Sequence, residues 1–184
     1  MAKTNQILRG SSCWLLWLVL AIVPRTYGAT GAGTQTLTAT INPIGSISVP
    51  GSTNLTTSMT TFQPFTGALV LSYRARTTPA GAGTITMTVT SDFTPAGGPS
   101  AASGDLTYVC SGATLGTACS GTQKASPTTQ TPVVALPASS CTGGGGACST
   151  PDPNSVNLIF NLTDSPAYGT GSYSAKVTFT ISST

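Results

Sequence analysis

From residue 172 to 182 the chain alternates apolar and small polar side chains: Tyr173, Ala175, Val177, Phe179 and Ile181 on one side, Ser, Thr and Lys176 on the other. Successive side chains of a strand point to opposite faces, so this pattern predicts a half-buried β-strand. The same texture recurs upstream. Leu37, Ala39 and Ile41 alternate with threonines, and Ile44, Ile47 and Val49 follow a turn at Asn42-Pro43. A weaker strand is expected over 54–59. Leu69, Leu71, Tyr73 and Ala75 alternate with Val70, Ser72, Arg74 and Arg76, and Ile85, Met87 and Val89 with Thr84, Thr86, Thr88 and Thr90. Leu106, Tyr108 and Cys110, then residues 133–136, then Val156, Leu158, Phe160 and Leu162 complete the set. No window of adequate length carries a 3.6-residue apolar period, so no substantial helix is expected. About eight or nine short strands between Gly, Pro and Ser turns predict an all-β antiparallel sandwich or barrel. Residues 111–152 read differently: rich in Gly, Ser, Thr and Pro, with a Gly143–Gly146 run, they predict an irregular loop region.

The N-terminus reads as a processing signal over residues 1–28. Lys3 and Arg9 precede an apolar run to Val23, Pro24 ends it, and small residues follow at Gly28 and Ala29, where cleavage is expected. The run is shorter than the roughly 20 apolar residues of a membrane span, so no permanent membrane anchor is expected. Residues 29–184, about 155 in number, suffice for one domain with its own core.

Taking away the leader changes the charge. Lys3, Arg9 and Arg25 belong to it, leaving Arg74, Arg76, Lys124 and Lys176 against Asp92, Asp105, Asp152 and Asp164, four against four. A basic surface able to track phosphates is absent, which argues against nucleic acid as a partner. Charged residues make up 6% of the chain, against roughly a quarter in ordinary soluble domains, so little repulsion keeps copies apart. Both tryptophans, Trp14 and Trp17, also fall in the leader, removing the side chain best suited to stack on a sugar.

Four cysteines remain: Cys110, Cys119, Cys141 and Cys148. An even number in an exported chain implies disulfides, and four allow three connectivities. The favoured pairs are the local ones, Cys110 with Cys119 and Cys141 with Cys148. A four-cysteine zinc site would want pairs two to four residues apart, and these spacings are wider. Arg74 and Arg76, two apart on the outward face of one strand, are candidate contacts for a carboxylate or sulfated sugar. The plainer reading pairs them across strands with Asp92 or Asp105. Lys176 reads as a guard against unwanted edge pairing. The four Asp lack the spacing of a calcium loop and are ordinary turn residues, so neither metal nor cofactor is expected. The chain has no His and no Glu, and no Gly-x-Ser-x-Gly elbow with triad partners, so catalysis is not expected. Asn54-Leu-Thr56 and Asn161-Leu-Thr163 match the N-glycosylation sequon.

The C-terminal pattern resembles bacterial pilin-like and spore-coat-U-like secreted domains. Gly171-Ser-Tyr173 opens the alternating strand with Gly171 fourteenth from the end, and residues 34–41 look like a strand that could be donated. The chain departs from that pattern at Ser183, where a penultimate Tyr is usual, and in having no Cys between the leader and Cys110. The resemblance implies an immunoglobulin-like β-sandwich, transit through the periplasm to the cell surface, and subunits completed by a neighbour's strand, a form of β-augmentation. The expected role is therefore an exported, non-catalytic structural or surface-assembly protein that self-associates through strand pairing. The alternative is a monomeric binding or adhesion module presenting its disulfide-pinned loops to a surface or glycan ligand.

Overall fold

The computed structural model describes residues 35–57, 62–141 and 151–183. The expected leader, the Gly143–Gly146 run and Cys148 lie outside them. The chain divides into two units, Met1–Ala39 and Thr40–Thr184. In the first, residues 35–39 are exposed and form no strand.

The second unit is built from nine strands: β1 (Ile44–Ser48), β2 (Phe65–Arg76), β3 (Gly83–Thr94), β4 (Leu106–Ser111), β5 (Thr117–Ala118), β6 (Gln123–Lys124), β7 (Thr131–Leu136), β8 (Asn154–Leu162) and β9 (Ser174–Ser183). No helix occurs among the described residues. A five-stranded sheet in the order β1-β2-β8-β4-β6 and a four-stranded sheet in the order β5-β7-β3-β9 form an antiparallel sandwich. The predicted alternation fixes the inward faces. Leu69, Leu71, Tyr73 and Ala75 of β2, Ile85, Met87 and Val89 of β3, Leu106 and Tyr108 of β4, and Val156, Leu158, Phe160 and Leu162 of β8 make one core. Each such aliphatic side chain contributes roughly 1.5–3 kcal/mol by leaving water, and this burial is what holds the two sheets together.

Three expectations need correction. Residues 36–41 alternate as a strand should, yet no strand forms there, and Leu37 and Ile41 are 87% and 72% exposed. Alternation supplies a face, but a strand also needs a partner for its backbone N–H and C=O groups. The expected strand over 54–59 reduces to a single bridge between Thr56 and Thr66, with Met59 outside the described residues. Residues 111–152 are less irregular than their composition suggests, since β5, β6 and β7 lie within them. Two of these strands have only two residues, too short for any period to show.

Candidate functional site

The end of the sandwich near Cys110 is firmly tied. Cys110 closes β4 in one sheet and is bonded to Cys119, just past β5 in the other, so this disulfide links the two sheets. The loop between them is anchored twice more. The buried hydroxyl of Tyr73 on β2 donates to the Leu115 carbonyl. Thr114 donates through its hydroxyl to the Asn154 side-chain oxygen at 3.0 Å, and its N–H donates to the Ser155 carbonyl at 3.0 Å. Cys141 is also disulfide-bonded, while Cys148, its expected partner, lies outside the described residues. A disulfide suits an oxidising compartment. No helix among the described residues is long and apolar enough to cross a membrane.

The two arginines do not find the partners expected of them. Arg74 Nε pairs with Asp152, 78 residues away and beside a proline, while Arg76 donates to the Asn42 carbonyl from Nε and Nη2 at 3.0 and 2.8 Å. Asp92 and Asp105, the carboxylates expected to pair with them, hold the 92–105 loop instead. Asp105 accepts the Ser100 N–H at 2.8 Å, and Asp92 accepts the Ser100 hydroxyl at 2.6 Å and the Ala101 N–H at 2.7 Å. Arg74 lies beside Ser46, Ser48 and Ser72 in an open hollow of about 230 Å³. With its guanidinium shared by Asp152, that hollow has no net positive charge to attract an anion.

The most consequential feature is the free side of β9. Among the described residues β9 pairs only with β3, so one side of a ten-residue strand is left open. The other sheet margins are β1, with five residues, and β5 and β6, with two each. The consequence shows in the packing. On β3 the inward Ile85, Met87 and Val89 are 0–2% exposed, whereas Val177, Phe179 and Ile181, facing the same core from β9, are only half-buried. Apart from β1, which reaches Ile181, no strand among the described residues covers them.

Local contacts hold this edge in place. The Tyr173 hydroxyl donates to the Gly169 carbonyl at 2.7 Å, and its ring lies so close on Gly98 that any side chain there would overlap it. At the far end, β1 of the opposite sheet packs on Ile181, where a side chain on Gly45 would meet it at 3.0–3.3 Å. On the outward face, hydroxyls bridge the strands: Thr84 with Ser182 at 3.0 Å and Thr90 with Thr178 at 3.2 Å. Lys176 is the one charge on β9. Sequence alone foretold the strand and its buried face, but which strand ends a sheet depends on pairing between distant segments. Compared with known proteins, the chain matches no family model, no curated protein and no solved structure.

Proposed function

We propose that this chain is an exported, non-catalytic structural subunit of a cell-surface assembly, pilin-like or coat-like, joined to its neighbours by strand pairing along β9. The observation that carries this reading is the open edge. A long, alternating, nearly uncharged edge strand offers unpaired N–H and C=O groups and half-exposed apolar side chains to another strand. The strand that best suits it is the 36–41 segment of a neighbouring copy. Leu37, Ala39 and Ile41 would enter beside Val177 and Phe179, with Thr36, Thr38 and Thr40 outward. Its exposed alternation and lack of a strand partner support that choice. The near-absence of charge removes electrostatic opposition to contact between copies.

The test is light scattering coupled to size-exclusion chromatography, on protein exported under oxidising conditions. Oligomers that resist dilution, and that disappear on deletion of residues 29–41, are the expected result. A protein that stays monomeric on concentration would overturn the reading. It would favour the binding module instead, whose 110–119 loop is held by the disulfide, Tyr73 and Thr114 as a rigid recognition surface would require.

A further inference from the structure

We infer that the outer face of the five-stranded sheet is a second contact between copies, one that joins strand-paired chains side by side; the inference rests on the assembly reading above. Register places Ala68 of β2 opposite Ile159 of β8, and Ile159 opposite Val109 of β4, with Val70 two residues along β2. These outward apolar side chains are contiguous across three strands, and Val70 and Ile159 are 52% and 43% exposed. Single exposed aliphatics are ordinary, whereas a contiguous set on a charge-poor sheet marks an interaction surface. Around them lie Thr66, Ser72, Thr107, Asn157 and Asn161, all uncharged. The charges that register places near this rim lie beyond it: Arg74, two residues past Ser72 and paired with Asp152, and Lys124, opposite Thr107. An apolar centre without charge inside a polar rim is the composition of an interface.

The partner that suits this face is a second copy. A charged partner finds no counter-charge at its centre, whereas the rim is complementary to itself, because each asparagine amide carries both donors and acceptors. Asn157 and Asn161 stand two residues either side of Ile159 on β8. A two-fold axis lying in the contact plane and crossing β8 above Ile159 therefore sets Asn157 of one copy beside Asn161 of the other, with the apolar centres stacked. Size then decides strength. Three strands about 4.8 Å apart, rising about 3.4 Å per residue between Thr66 and Ser72, give a patch of about 300 Å². Stable pairs bury roughly 800 Å² per partner. One such contact is weak, and it becomes effective only when repeated along a chain of subunits.

Methyl NMR on the full domain at rising concentration tests this contact directly. Signals of Val70, Val109 and Ile159 should shift together in the millimolar range, while those of buried Val133 and Val156 stay put. Ile159→Lys should abolish the shifts, with Ile159→Thr as a milder variant and thermal melting to confirm that both fold. In assembled protein, electron microscopy should show wild-type chains in lateral bundles and Ile159→Lys chains single. Concentration-independent wild-type signals, or bundles that persist in Ile159→Lys, would overturn the inference even where chains form. Methyl shifts in a protein that forms no chains would support the face contact and count against strand-paired assembly alone.

Discussion

Asp92 shows how much one carboxylate can organise in a chain with so few charges. It accepts hydrogen bonds from the N–H groups of Phe93, Ala101 and Ala102 and from the Ser100 hydroxyl, closing the loop that follows β3. Burial alone would raise its pKa, but the Ser100 hydroxyl and the three backbone donors outweigh it, so the carboxyl lies below its ordinary value. A group whose pKa falls on folding stabilises the fold above its unfolded pKa, about 4, and that stability is lost as pH drops through the folded value. Asp92→Ala should cost about 2 kcal/mol at neutral pH, read from urea unfolding. Its deficit relative to wild type should shrink on acidification, and a deficit constant across that range would refute the assignment. Tyr73 carries the opposite sign. Burial pushes its phenol up, so its stabilising effect is present below the ordinary tyrosine pKa of about 10 and is lost as pH rises through the folded value. Tyr73→Phe should remove that alkaline transition and, by leaving the Leu115 carbonyl without its donor, cost about 1 kcal/mol.

At the scale of elements, the disulfide between Cys110 and Cys119 closes a short loop and ties the sheets together. Replacing both with serine should lower stability by about 2.5 kcal/mol on the loop-entropy account, read from urea unfolding under oxidising conditions so that the disulfide at Cys141 stays intact. Its pairing was legible because both cysteines flank a single short loop. The long core strands were legible for a similar reason: β2, β3, β8 and β9 alternate over enough residues for the period to stand out. That same signal misled at residues 36–41, where alternation is as clear and no strand forms. Period two reports a face and says nothing of a partner, and partners come from contacts remote in sequence. The Arg74 partnership failed for this reason too, since nothing local to Arg74 pointed to Asp152. The candidate site was half visible in the same way: the strand and its apolar face could be read, but its position at the margin of a sheet could not.

The whole molecule has a balanced charge outside the expected leader, so general self-repulsion does little to keep copies apart. On its open edge the one charged side chain is Lys176, exposed and outward-facing. Two β9 edges meeting directly would bring positive charges together in a region otherwise free of them, and the repulsion is sharpest where salt is lowest. Lys176→Thr continues the hydroxyl pattern of Thr178, Thr180 and Ser182 and leaves the inward Ala175, Val177 and Phe179 untouched. The fold should therefore survive the change, while association at low ionic strength should quicken several-fold, followed by light scattering at matched concentration. Added salt screens the wild-type lysine, so the wild-type rate should climb toward that of the variant as ionic strength rises. Hydrogen exchange on the associated material should show new protection at β9 amides that are open in the monomer. Equal rates for the two proteins at low salt would remove Lys176 as a guard. Protection confined to other strands would move the contact away from β9 altogether.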